Sequence, residues 1–111
     1  MACILLVEGD DDTLEAMRAI LAEEGFDVRL ALDGDGAMTE LRKNGVNVVF
    51  VDLAEAMRFL DELAGQRDLD RVNAILMSAE MRPISHPRAA AVLRMPFGID
   101  ELVALARKYC G

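Results

Sequence analysis

No stretch of this 111-residue chain is apolar for the roughly 20 residues that crossing a bilayer takes. The N-terminus has neither the basic flank nor the small-residue cleavage site of a secretory leader, so a cytoplasmic location is the default expectation. Cations are scarce: 12 Lys and Arg stand against 20 Asp and Glu, a formal net charge of −8. Nucleic-acid binding needs Lys and Arg to displace phosphate counterions, so no direct contact with nucleic acid is expected. The same balance argues against an anionic membrane surface. Cysteine is nearly absent. Cys3 and Cys110 lie at opposite ends of the chain and read as reduced thiols, Cys3 packed within a strand. Repeats, low-complexity tracts and linkers are missing too, so residues 1–111 read as one domain with a real core but without room for two.

What is present is a regular alternation. Hydrophobic residues make up 53% of the chain and charged residues 29%, the balance of a folded protein. Cys3–Val7 is a first apolar run, and a helix should follow it with Leu14, Met17, Ile20 and Leu21 at helical spacing. Asp12 is the expected N-cap of that helix, with Glu15 completing a capping-box-like pair and Gly25 ending it. Phe26, Val28 and Leu30 alternate with Asp27 and Arg29, the pattern of a half-exposed edge strand. Asp33-Gly34-Asp35-Gly36 turns into a second helix through Met38 and Leu41, stopping near Asn44-Gly45. Val48-Val49-Phe50-Val51 reads as a strand buried on both faces, and it ends in Asp52. A third helix carries Ala56, Phe59, Leu60 and Leu63 on one face and stops at Gly65. Val72–Met77 is the fourth strand and Ala89–Met95 the fifth. Between them, Pro83 and Pro87 exclude a regular helix across residues 80–88. A last helix turns Ile99, Leu102, Val103 and Ala106 inward, and its Arg107 and Lys108 complement the negative end of the helix dipole. The methionines at 17, 38, 57 and 77 are expected to fill core, and His86 to sit in an exposed loop.

This alternation predicts an α/β fold, a five-stranded parallel sheet sandwiched by helices and joined by right-handed crossovers. In such sheets sites form beyond the carboxyl ends of the strands, where strand order reverses. The strand ends supply Glu8 and Asp10, then Asp52, then Ser78, then Met95-Pro96. No Gly-x-Gly-x-x-Gly or P-loop follows the first strand, which disfavours a nucleotide-binding or small-molecule-binding α/β module and leaves it as the remotest alternative.

Val7-Glu8, Asp52 after four apolar residues, Ser78-Ala79 after Ile75-Leu76-Met77, and Pro96-Phe97 before the last helix resemble the receiver domain of two-component response regulators. The resemblance covers nearly the whole chain. It implies a flavodoxin-like topology, here with the helix between strands four and five shortened or missing. It also implies a phosphoacceptor at Asp52, served by a histidine kinase, and a Ser78 contact to the phosphoryl group. A Mg²⁺ site would be drawn from Glu8, Asp10 and Asp52, and a cis peptide would precede Pro96. Phosphoryl transfer is mostly positioning plus charge neutralisation, which is why such sites gather carboxylates, a metal and a cation.

The chain departs from that pattern where the chemistry is. The second acidic position falls on Gly9, which has no ligand atom, although Asp10 follows it. The position of the phosphate-pairing lysine is Met95. The loop after Asp52 is about four residues short of the family's, forcing an abrupt start of the third helix through Leu53 and Ala54. The aromatic switch position falls on Val92. Arg94 should point to the face opposite Met95, and Arg58, Arg82 and Arg88 are further candidate donors. Without a cation, Glu8 and Asp52 should repel and raise one or both pKa values. Each candidate has a structural reading as well. Asp52 can N-cap the third helix with Glu55 as its third-residue partner, Asp10–Asp12 can be an acidic first turn, and Ser78 can satisfy backbone groups at a strand end. The expectation is therefore a degenerate receiver acting by protein–protein contact, with a kinase or a downstream signalling protein as partner. It is not expected to be an enzyme beyond slow self-dephosphorylation, and Mg²⁺ binding would be weak or absent. The alternative is a working phosphoacceptor at Asp52. Loss of a helix would reshape the face around strand five, making it a candidate for homodimerisation or docking.

Overall fold

The computed structural model describes residues 3–43 and 45–110. The helix stop expected at Asn44, and the side chain of Glu55 expected as a capping partner, lie outside what it describes. Five strands, β1 (Cys3–Val7), β2 (Asp27–Ala31), β3 (Val48–Asp52), β4 (Asn73–Ser78) and β5 (Ala89–Arg94), form one parallel sheet in the order β2-β1-β3-β4-β5. Helices α1 (Asp11–Glu23), α2 (Gly34–Lys43), α3 (Leu53–Ala64) and α4 (Ile99–Cys110) cover its two faces, and a short 3₁₀ turn, Arg67–Leu69, precedes β4. This is the flavodoxin-like receiver topology. Residues 79–88 contain no helix, as Pro83 and Pro87 dictate.

The period of two along each strand sorts the core into two layers. Leu5, Val7, Val49, Val51, Ala74 and Leu76 pack against Met38 and Leu41 of α2 and the Ala56, Phe59, Leu60 and Leu63 stripe of α3. Ile4, Leu6, Val48, Phe50, Ile75 and Met77 pack against Leu14, Met17 and Leu21 of α1 and Leu102 and Ala106 of α4. β1, β3 and β4 are therefore apolar at nearly every position, whereas the edge strand β2 exposes Asp27 and Leu30. Residues 84, 89 and 92 lie half-buried against the α2/α3 layer, so Ile84 partly covers the β5 face that a helix would otherwise cover.

Helix ends follow local chemistry. Gly25 adopts φ 94°, which a Cβ would strain, and closes α1: Gly25 N–H donates to Ala22 O (3.0 Å) and Phe26 N–H to Leu21 O (3.2 Å). Asp33 Oδ1 accepts from Gly36 N–H at 2.7 Å at the start of α2. Glu101 Oε1 reaches back to Gly98 N–H at 3.2 Å at the start of α4. Acidic residues occupy the first turns of α1, α2 and α4, and basic residues the last turns of α2 and α4.

Four expectations are corrected. The N-cap of α1 is Asp10 rather than Asp12, because α1 begins at Asp11; Glu15 instead pairs with Arg18 one turn on. Met57 is 38% exposed, since the buried stripe of α3 runs through positions 56, 59, 60 and 63 and leaves 57 outside. Ile99 is 60% exposed, because it opens α4 above the sheet edge, while Leu102 and Ala106 face inward. His86 is not an exposed loop residue. Its Nδ1 accepts from Arg88 N–H (3.0 Å), and its Nε2 lies 2.7 Å from Asp61 Oδ1 on α3. With Arg88 Nη2 donating to Leu69 O (2.9 Å), this ties the end of the 79–88 segment to α3 and the turn after it.

Phe50, fully buried in the central strand, and Met57 test this layering. Phe50→Ala should cost about 3–5 kcal/mol of unfolding free energy in a urea titration. Met57→Ala should stay within about 0.5 kcal/mol, and a cost as large as that at Phe50 would contradict the exposed position.

Candidate functional site

The sheet order reverses between β1 and β3, so the crevice beyond their carboxyl ends is the place for a site. Val7 and Val51 are register partners, which sets Glu8 and Asp52 side by side as the next residues out. Asp52 is in turn the register partner of Met77, placing Ser78 one step beyond on β4. Among the described residues, Glu8 (7% exposed) and Ser78 (3%) are the buried polar side chains, and both flank Asp52. A core that otherwise buries only apolar groups makes its exceptions here.

Each of these side chains is engaged locally. Glu8 Oε1 accepts from Asp10 N–H (3.2 Å), and its own N–H donates to Ala31 O (3.2 Å). Burial pushes the Glu8 carboxyl above its ordinary value of 4.5, the Asp10 N–H pulls it back, and the neighbouring Asp52 charge pushes it up again. The expected repulsion between the two carboxylates is thus present at Glu8, with desolvation the larger cause. Asp52 is the N-cap of α3: the helix begins at the very next residue, and Asp52 Oδ2 accepts from Ala54 N–H at 3.4 Å, a long contact. Ser78 Oγ accepts from Glu80 N–H (3.1 Å), and Ser78 O accepts from Met95 N–H (2.8 Å).

The other candidates scatter. Asp10 is exposed, and its Oδ2 accepts from Thr13 Oγ1 at 2.5 Å in the first turn of α1. Among the described residues no three carboxylate, His or Cys side chains gather as metal ligands. Gly9 offers no side chain in the position where the resemblance asks for an acid. Met95 is half-buried against the α1/α4 layer, and the Met95–Pro96 peptide is cis. Arg88 is held by Leu69 O, and Arg58 lies beside Asp33, Asp35 and Glu62 between α2 and α3. Arg94 is the register partner of Ser78, and its Nη2 donates to Glu80 O (3.2 Å) and Met81 O (3.3 Å). Arg82 lines the same small cavity as Ser78 and Arg94. Strand parity gives Arg94 the face opposite Met95. Its nearness to Ser78 depends on the β4–β5 register, which no short pattern in the sequence encodes.

Two substitutions separate capping from charge. Asp52→Ala should cost about 0.5–1 kcal/mol in chemical denaturation, the low end for a lost N-cap given the long contact, whereas Asp52→Asn keeps the acceptor and should cost nothing. Glu8→Gln keeps the acceptor for Asp10 N–H and removes a charge that burial penalises. A carboxyl whose pKa is raised by folding stabilises the protein below its unfolded pKa, and that contribution is lost as pH rises through the folded value. Glu8→Gln should therefore raise the melting temperature at pH 7, with the gain vanishing below about pH 4. An equal gain at both pH values would show that the Glu8 charge is not the cause.

No protein-family model matches the chain. It is 30% identical over 115 residues to the transcriptional regulatory protein KdpE of Mycobacterium tuberculosis, covering 96% of this chain and 50% of that protein. It is 27% identical over 116 residues to the nitrogen assimilation regulatory protein NtrX of Azorhizobium caulinodans, covering 95% of this chain and 25% of that one. The chain thus spans half or less of the length of these relatives. Among solved structures, NtrX of Brucella abortus in complex with ADP superposes with a TM-score of 0.86 at 25% identity, covering 99% of this chain and 26% of that one. The chemotaxis response regulator CheY4 of Vibrio cholerae matches in fold with a TM-score of 0.86 at 19% identity, covering 98% of both chains. The chain thus has the flavodoxin-like topology of CheY-type receiver domains, and over nearly its whole length it is similar to one part of these regulatory proteins.

Proposed function

We propose that this receiver-type domain serves two-component signalling as a degenerate member, working by protein–protein contact with little dependence on Mg²⁺-assisted phosphorylation. The observation that carries this reading is the state of Asp52. α3 starts at the next residue, and the Asp52 carboxylate accepts from Ala54 N–H, which leaves no loop to shape a phosphoryl-binding cradle. Gly9 and Met95 support it, since they remove an acid and a cation that in-line phosphoryl transfer to a carboxylate would use. Its partner would be a sensor kinase or a downstream signalling protein, and a second copy of the chain is the remaining partner class.

A working phosphoacceptor is the second reading. The pairing of buried Glu8 and buried Ser78 on either side of Asp52 favours it, because both would otherwise be costly places for polar groups. Incubation with Mg²⁺ and acetyl phosphate, followed by intact mass measurement, separates the two. The degenerate reading expects no phosphoryl adduct. A stoichiometric adduct that disappears in Asp52→Asn overturns it in favour of the second.

A further inference from the structure

Where a helix would cover β4 and β5, the chain leaves a cavity of about 210 Å³. Two of its lining residues are arginines, Arg82 and Arg94. Arg94 is held in place by the main-chain carbonyls of Glu80 and Met81, which orient the guanidinium but leave its charge uncompensated. Neither arginine is in an ion pair among the described residues. Glu80 also lines the cavity, but its side chain is exposed to water and pairs with neither of them. The rest of the wall is apolar, from Pro83, Ile84 and Val92, and buried Ser78 completes it. In a chain of net charge −8, two unpaired guanidinium groups on one cavity are an unusual concentration of positive charge.

We infer that this cavity binds a small organic anion: a phosphate or carboxylate headgroup held by Arg82 and Arg94, with an apolar body against Pro83, Ile84 and Val92. A guanidinium presents a fork of donors that matches both headgroups, and although Arg82 and Arg94 are exposed, their charge-assisted hydrogen bonds are stronger than those of neutral donors. The size fits. An apolar cavity of about 150 Å³ accommodates benzene, so this one has room for a ring-sized body plus part of a headgroup. Position gives occupancy a consequence. The ligand would touch β4 at Ser78, one step beyond the register partner of Asp52, and would brace the 79–88 segment. Occupancy would then be an input to the domain that needs no phosphoryl transfer. The proposal concerns a cavity that Asp52 does not line, so it stands or falls separately from the reading of Asp52.

The test is a titration followed by backbone amide NMR shifts, with phenyl phosphate, benzoate and inorganic phosphate as probes. At least one of the two aromatic anions should give saturable shifts confined to residues 78–84 and 92–94, and comparing them identifies the headgroup. Inorganic phosphate should bind more weakly because it leaves the apolar wall unused. Arg82→Gln, on an exposed loop position, should weaken binding about tenfold, the loss of one charge-assisted hydrogen bond. Glu80→Gln should tighten it, and Asp52→Asn should leave it in place. Shifts that never saturate, that are unchanged in Arg82→Gln, that vanish in Asp52→Asn or that spread beyond residues 78–84 and 92–94 would overturn the inference.

Discussion

Burial of β1, β3 and β4 on both faces is the constraint from which the rest follows. A strand covered on both sides has no position for a polar side chain, so these strands are near-continuous apolar runs. Polar chemistry is forced to their ends. The sheet order then decides which ends meet, and the reversal between β1 and β3 brings Glu8, Asp52 and Ser78 together even though they lie far apart in the chain.

Strong periodicity made the architecture legible in the sequence. Runs such as Ile4–Val7 and Val48–Val51, and the stripe of Ala56, Phe59, Leu60 and Leu63, have one physical solution each, and the structure adopts it. Asp52 was legible both as a strand-end carboxylate and as a helix cap, and the absence of a loop before α3 makes the cap the observed contact. Competing local options were harder to read. Asp10, Asp11 and Asp12 are equivalent as cap candidates until the exit of β1 fixes where α1 can begin. His86 depends on Asp61, 25 residues away, and on the main chain of Arg88, so no local pattern reveals its anchoring. The cavity beside Ser78 depends on β4–β5 register and on the path of residues 79–88, neither of which is periodic.

Residues 79–88 show how a segment without regular secondary structure is still held. Arg94 grips its first turn through the carbonyls of Glu80 and Met81, and His86 and Arg88 fasten its end to α3 and the turn after it. Between those points Ile84 rests on the core, which offsets some of the apolar exposure that a missing helix leaves. Met81, 93% exposed, is the large apolar side chain of this segment that stays in water.

The acidic first turns of α1, α2 and α4 have a reach beyond helix stability. Every crossover helix runs back against the parallel strands, so these starts gather at the end of the sheet that carries Glu8 and Asp52. The basic last turns of α2 and α4 lie at the opposite end. The domain is thus electrically polar along the strand axis, like a bar with a negative tip. Within a Debye length, about 8–10 Å in physiological salt, an approaching cationic surface experiences a torque before it makes any contact. Orientation toward the strand ends is in this way written into the charge layout of the fold, independently of what happens at Asp52.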